Sequence, residues 1–319
     1  MSASHQEMII GVDGGGTKTA VQIASVAQDG SIDVLGEGYG GPSNVRAVGA
    51  AHAKTNLDVA IDAAHAAANT ATSNVSYAVL ALAGSSLADV QQVITEWAGR
   101  RQLAEHVDIV HDAEPVLTVG VRQGCGIGLI VGTGSVAIGV NAGGERTVIG
   151  GWGHLFGDQG SGFDLGRRAL TAVADAADGI GVETALSNEI TKMLQVDDPR
   201  EFARKLGLAV DIRQEIAALA PVVVRAAKNG DAVADGIVDA GAAAAAALVA
   251  ATVSRLQLGN NVPLALAGGI VCSGDFFRDK LLGQLKALGI EPNPVSVVRK
   301  PVEGSLIMAR DRLRALGAT

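Results

Sequence analysis

Residues 8–26 read MIIGVDGGGTKTAVQIASV: an apolar run, an aspartate, three glycines, a hydroxyl-lysine-hydroxyl group and a second apolar run. The pattern predicts a strand, a tight turn and a second strand. Three consecutive glycines remove every Cβ from the turn, so backbone N–H groups can converge on an anion that side chains would otherwise exclude. Hairpins also use glycine simply for a positive φ, and this stretch alone leaves both readings open.

Working outward, Asp29-Gly30 predicts a turn and residues 32–38 a third strand of an antiparallel meander. The loop Gly40-Gly41-Pro42-Ser43-Asn44 then leads into a helix at 45–72, with Val48, Ala51, Leu57, Ala60, Ile61 and Ala64 on its apolar face. Residues 77–83 read as a buried strand and 87–103 as a helix with Val90, Val93, Ile94 and Trp97 on one side. A short strand, 107–110, ends at His111-Asp112-Ala113-Glu114-Pro115. A meander followed by alternating helices and strands predicts a mixed α/β domain.

The opening device recurs at 126–140, GIGLIVGTGSVAIGV. Gly14 and Gly132 each close an apolar strand shortly before a hydroxyl residue, which points to an internal duplication with each copy heading its own domain. A chance repeat of a glycine hairpin is the alternative. Residues 150–163, GGWGHLFGDQGSGF, are half glycine and serine and predict a loop ahead of a helix at 164–177. Helices follow at 182–194, 199–206, 212–228 and 232–258, then a buried strand, 262–267, closing in Gly268-Gly269-Ile270-Val271. A helix at 275–288, a short strand at 296–298 and a last helix at 302–316 complete the chain.

At 319 residues the chain can hold two domains with substantial cores. A net charge of −8 argues against nucleic acid or an anionic membrane as the main partner, without forbidding a local anion site. Cys125 and Cys272 fall in no metal or redox spacing, and the first residues carry no secretion signal, so a reduced, cytoplasmic setting is expected. The run at 240–253 is shorter than the ~20 strongly apolar residues of a membrane span, which predicts a buried helix instead.

Two glycine-hydroxyl hairpins, an aspartate at a strand end between them and a late strand-Gly-Gly turn resemble the superfamily of sugar kinases, heat-shock ATPases and actin. That resemblance spans the chain and implies two ribonuclease-H-like (actin-like ATPase) α/β domains facing across a nucleotide cleft. The implied domains are 1–114 and 115–319, with the last helix available to pack back on the first. Within the superfamily, DGGGTKT, GTGS and above all GGWGHLFGDQGS are similar to the N-acetylglucosamine kinase and glucosamine kinase branch of the BadF/BadG/BcrA/BcrD ATPase-type family. GGGTKT lacks the spacing of a Walker loop and opens no helix.

The resemblance implies ATP-dependent phosphorylation of an amino sugar at its 6-hydroxyl, by a homodimer that uses Mg²⁺. Asp112 matches the base that takes the sugar hydroxyl's proton, a role suited to a carboxylate at a strand end; an N-cap ahead of Pro115 is its alternative. Asp13 is expected to hold Mg²⁺ through water. Gly14, Gly15, Gly16, Thr17, Lys18 and Thr19 would meet the phosphates on one side, and Gly132, Thr133, Gly134 and Ser135 on the other. Gly268 and Gly269 would let the adenine approach the backbone. Asn44 and Asp158 would bind sugar hydroxyls, with Gly151 and Trp152 shaping the wall. Trp152 could instead be core packing, and His154 either a packed histidine or a sugar contact. The animal pattern carries an aromatic soon after this Asn, where this chain has Val45-Arg46.

A second reading is an activating ATPase of the benzoyl-CoA reductase and 2-hydroxyacyl-CoA dehydratase type, which holds an iron-sulfur cluster between subunits. Cys125 is roughly placed for that and Cys272 is not, and such a cluster needs paired thiolates. A sugar-sensing regulator that lost catalysis is the third.

Overall fold

Strands β1 (Glu7–Gly14) and β2 (Thr19–Val26) pair antiparallel from Glu7 opposite Val26 to Gly14 opposite Thr19, so the hairpin forms where the glycine pattern predicts it. The computed structural model describes residues 7–70, 75–121 and 124–317 and contains two compact units, residues 1–122 with 300–319 and residues 123–299.

In the first unit the hairpin continues into β3 (Ile32–Gly40), α1 (Val45–Ala68), β4 (Val75–Leu82), α2 (Ala88–Arg101), β5 (His106–His111) and α3 (Glu114–Gly120). The sheet order is β3-β2-β1-β4-β5, with β1, β4 and β5 parallel. Gly36, Gly38 and Gly40 lie at alternate positions of β3 and so share one face. A Cβ on any of them would strike the backbone of α1 at Ala64, Ala60 or Asn56, so the helix rests directly on the strand.

The helix expected at 45–72 is broken by Gly49, whose φ of 79° and ψ of 157° are not helical. The break shifts the phase of the first turn, which is why Ala51 is exposed while Ala53, Leu57, Ala60, Ile61 and Ala64 are buried. The helix runs to Ala68, with Asn69 as a left-handed cap, and its expected end at 72 lies outside the described residues.

The second unit opens with β6 (Gly126–Val131), β7 (Ser135–Val140) and β8 (Arg146–Gly150), then α4 (Gly162–Ala177), α5 (Leu186–Leu194), α6 (Phe202–Gly207), α7 (Ile212–Ala217), α8 (Ala220–Lys228) and α9 (Ala232–Arg255). The helix expected at 212–228 is therefore two. Pro221 sits in the first turn of α8, where its missing N–H costs nothing, and a proline disfavours continuing helix into itself. Next come β9 (Leu264–Ala267), α10 (Gly269–Cys272), α11 (Phe276–Ala287) and β10 (Val295–Val297). The sheet order is β10-β9-β6-β7-β8. Read from the other edge, this is the order of the first unit strand for strand, antiparallel meander and parallel pair alike, so the repeated hairpin reflects a repeated sheet.

By length and composition α9 is apolar enough to cross a membrane, where the sequence pattern suggested too short a run. Its residues Ala234, Val238, Ala242, Ala245, Val249 and Val253 are instead packed into the core of the second unit. The last helix, α12 (Val302–Gly317), belongs to the first unit. β1 alternates, sending Ile10 and Val12 to a core with Leu57, Ile61, Ile94 and Trp97, and Ile9 to a second core with Leu306, Ala309 and Leu313 of α12. Ser305 Oγ donates to the Val12 carbonyl at 2.9 Å, and a Cβ at Gly11 would lie 2.7 Å from Leu306 N.

Candidate active site

Three parallel strands of the first unit end together: the register pairs Gly14 with Leu82 and Leu82 with His111. The carboxyl edge of such strands is where open α/β sheets bind ligands. Beyond it lies the hairpin tip. Among the described residues none of Gly14, Gly15 and Gly16 has a positive φ, so the turn does not need glycine for that reason. Gly14 is required by packing, since a Cβ would strike Ser43 and Leu82, whereas the nearest atom to a Cβ on Gly15 is the Lys18 carbonyl at 3.6 Å. The Gly15 amide closes the turn on Lys18 O at 3.0 Å, and the Ser43 amide donates to Gly15 O at 3.2 Å.

Thr17 and Lys18 stand exposed at this tip, but Thr19 does not. Its hydroxyl is buried, donates to the Gly41 carbonyl at 2.7 Å and lies 2.8 Å from Ser43 Oγ. This corrects the expectation that Thr19 meets an anion: it starts β2, and its side chain points into the protein and ties down the 41–43 loop. Asn44 caps α1, its side-chain oxygen accepting from Arg46 N at 3.0 Å, which uses one of that oxygen's two lone pairs and leaves the amide N–H₂ as a donor group.

Two carboxylates share this edge. Asp13 precedes the tip on β1, and Asp112 follows the end of β5. Ala113 holds the N-cap position of α3 with no side-chain cap bond, so capping does not explain Asp112. The Asp112 side chain retains about a fifth of its exposure, and its Oδ1 lies 2.9 Å from His111 Nδ1. Burial first, and then the charge of Asp112, push the Asp13 carboxyl up to about 7 against the pull of Lys18. Because the folded value lies above the ordinary 3.8, the folded state binds this proton more tightly than the unfolded one. The stability it contributes is complete below about pH 4 and is lost as pH rises through about 7. Asp13→Asn should therefore raise the unfolding midpoint of the ligand-free protein at about pH 8 and flatten the decline from about pH 5. Parallel thermal melts of both proteins check this, and identical slopes would contradict it.

In the second unit the turn 132–135 joins β6 to β7. The Gly132 amide donates to Gly134 O at 2.9 Å, while the Gly162 and Phe163 amides at the start of α4 donate to Gly132 O and Thr133 O at 2.8 and 3.3 Å. Ser135 is buried, its hydroxyl donating to Gln159 O at 2.8 Å, so like Thr19 it is turned inward. Both residues are the first of the returning strand, which identifies the inward hydroxyl as part of the repeated hairpin. Thr17 and Thr133 remain as the hydroxyls of the two tips.

Asp158, expected to bind a sugar, is only 3% exposed and already committed. Its Oδ1 accepts from Ser135 N at 3.1 Å, and its Oδ2 from Arg213 at 2.9 Å. It also holds a φ of +61°, uncommon for a side chain larger than glycine. Gly134 permits the pair, since a Cβ there would lie 2.7 Å from Asp158 Oδ1 and 2.8 Å from the Arg213 guanidinium. Arg213 escaped the sequence reading because its partner is 55 residues away; the only local sign is Asp211, which caps α7 two positions earlier.

Gly268 has a φ of +100° and abuts β6, where a Cβ would strike the Val131 carbonyl, while Gly269 has open space. Gly151 turns at a φ of +70° and donates to Ser135 O at 3.0 Å. Trp152 is 75% exposed, which removes core packing as its explanation. His154 sets its ring edge against Phe163, centroids 5.1 Å apart. Cys125 and Cys272 are free thiols, the latter facing the Val298 carbonyl. Among the described residues there is no group of three His, Cys, Asp or Glu side chains able to hold a metal by themselves. The Asp13 and Asp112 pair, with its poorly compensated charge, suits a hydrated Mg²⁺ that takes its other ligands from phosphates.

The profile of the BadF/BadG/BcrA/BcrD ATPase family matches residues 10–306. The chain is 29% identical over 303 residues to the N-acetylmuramic acid/N-acetylglucosamine kinase of Clostridium acetobutylicum, covering 95% of this chain and 98% of that protein. It is also 29% identical over 280 residues to the N-acetyl-D-glucosamine kinase of Dictyostelium discoideum, covering 83% and 85%. Among solved structures, a Chromobacterium violaceum protein provisionally named an N-acetylglucosamine kinase superposes with a TM-score of 0.72 at 26% identity, over 95% of this chain and 99% of that one. A Porphyromonas gingivalis protein gives 0.74 at 18% identity over 96% and 99%, a likeness of fold.

Proposed function

The chain belongs to the BadF/BadG/BcrA/BcrD ATPase family, and from that membership we propose that it is an ATP-dependent kinase of an amino sugar, with Asp112 as general base and the 6-hydroxyl as acceptor. The observation that carries this is the pair of carboxylates at one sheet edge, with Asp112 part-exposed, free of any capping role and at the same edge as the glycine tip that follows Asp13. Kinase relatives of nearly the same length support it.

Phosphoryl transfer asks a protein chiefly to align the nucleophile and to neutralise the phosphates. Asp112 accepts the hydroxyl proton and orients that oxygen. Within the first unit the tip at Gly16, Thr17 and Lys18 is the part suited to phosphate, and within the second unit, taken by itself, the turn at Thr133 and Gly134 and the open backbone at Gly269 are the parts suited to a nucleotide. Asp13 would carry Mg²⁺ through water, and the ion when bound neutralises phosphate charge. Asn44 offers a donor to the sugar. Gly151 and Trp152 stand in an exposed loop able to form a sugar wall, and Asp158 acts on the second turn from behind.

A coupled ADP-release assay tests this with N-acetylglucosamine, glucosamine, N-acetylmannosamine, N-acetylmuramic acid, glucose and no sugar. ADP release should require an amino sugar, and phosphorus-proton correlation in the product should locate the phosphate on the 6-oxygen. Release that ignores the sugar would count against the kinase.

A further inference from the structure

Arg46 is the second residue of α1, two positions beyond Asn44. Gly84, two residues past the end of β4, holds a φ of +80°, and a Cβ there would stand 3.0 Å from Asn44 Oδ1 and 3.5 Å from Arg46 Cδ. The aliphatic stem of Arg46 therefore lies over Gly84 beside Asn44. Its guanidinium is uncommitted: Arg46 is exposed, and among the described residues its side chain makes no hydrogen bond or ion pair. The 82–85 stretch runs between this group and the end of β5, since Ala83 N donates to Gly14 O at 2.8 Å and Ser85 Oγ to Val110 O at 2.8 Å, two residues before Asp112. Paired strands lie about 5 Å apart, so Asn44, Arg46 and Asp112 border one small area of the edge. Lys18 is the cation that pulls on the Asp13 carboxyl, and Arg46 takes no part there.

We propose that Arg46 is a specificity-determining residue that reads a carboxylate carried by the sugar, so that the preferred substrate class is an acidic amino sugar. The inference rests on the kinase reading and deepens it. A neutral sugar gives a guanidinium no charge to neutralise, whereas a carboxylate accepts its forked N–H groups in two parallel bonds. With the stem already resting on Gly84, less side-chain freedom is lost when the fork engages. The aromatic residue of the animal pattern would offer a sugar an apolar face and no charge, and Val45-Arg46 is where this chain departs from that pattern.

N-acetylmuramic acid is N-acetylglucosamine with an added lactyl ether that ends in a carboxylate, so the two sugars isolate the charge. The wild-type kcat/KM for the acid should exceed that for N-acetylglucosamine. Arg46→Met keeps the stem and removes the guanidinium. It should lower the ratio of the two constants by about 30-fold, within the range of a hydrogen bond to a charged group, with the loss chiefly in the KM of the acid. Arg46→Lys keeps the charge without the fork and should lower the ratio by only about fivefold. A wild-type ratio below one, or a ratio unmoved in Arg46→Met, overturns the proposal. An equal fall in kcat for both sugars would put Arg46 on the transferring phosphoryl group and overturns it too.

Binding without turnover separates this inference from the kinase reading. Calorimetric titration with N-acetylmuramic acid in the absence of nucleotide should give a Kd about 30-fold weaker in Arg46→Met than in wild type. Equal affinities, or no binding to the wild type, overturn the proposal. Should neither sugar release ADP, the kinase reading fails, while the titration still decides whether Arg46 holds a carboxylate.

Discussion

Asp112→Asn should lower turnover by about 10³-fold, within the range a positioned general base contributes, while leaving nucleotide affinity nearly unchanged. The substitution preserves shape and removes only the ability to take a proton. Asp112 has no cap bond to lose at α3, and its one side-chain contact, with His111, can be kept by the amide oxygen of Asn. The fold should therefore survive intact. Coupled-assay rates beside calorimetric titration of nucleotide make the measurement. Retained turnover would remove Asp112 from the reaction, and loss of nucleotide binding would mean that it serves the fold instead.

Arg213→Leu should destabilise the protein by about 3–5 kcal/mol, the usual cost of stripping one partner from a buried ion pair. Asp158 is 3% exposed and the Arg213 side chain 18%, so neither charge can turn to water. Without the guanidinium, Asp158 keeps the Ser135 amide and loses the contact at Oδ2. The damage is local to the turn 132–135, so nucleotide affinity should weaken too. Adding Asp158→Asn to the same chain removes the orphaned charge and should recover most of the stability, a coupling that a double-mutant cycle in urea quantifies. A single-variant loss below about 1 kcal/mol would place the pair with ordinary surface ion pairs.

Much of the fold was legible because its signals are local. Strand, glycine turn and strand are written within 19 consecutive residues at 8–26, and the same device at 126–140 predicted a duplication that the matched sheet orders bear out. Helix positions followed the apolar period, and the errors came where one backbone position broke it: Gly49 in α1 and Pro221 at the start of α8. The stripe of Gly36, Gly38 and Gly40 was visible in the sequence, but its meaning, a helix backbone lying against the strand, required knowing that α1 crosses there.

The candidate site divides in the same way. Residue type and order along the chain suffice to nominate Asp13, Asp112 and the two glycine turns, since a phosphate-facing turn needs backbone without side chains and a base needs a carboxylate at a strand end. Which hydroxyls face outward was not legible. Thr17 and Thr19 are two residues apart in one motif, yet only the pairing of Gly14 with Thr19 turns the second inward. Asp158 belongs to the most distinctive segment of the chain and still could not be assigned a partner, because Arg213 comes from a helix 55 residues later. The sequence by itself determined the doubled α/β architecture and the groups with the chemistry to act, as these rest on local periodicity and residue type. Only the tertiary structure decided which of those groups are already committed to partners, because the direction and burial of a side chain depend on elements distant in the chain.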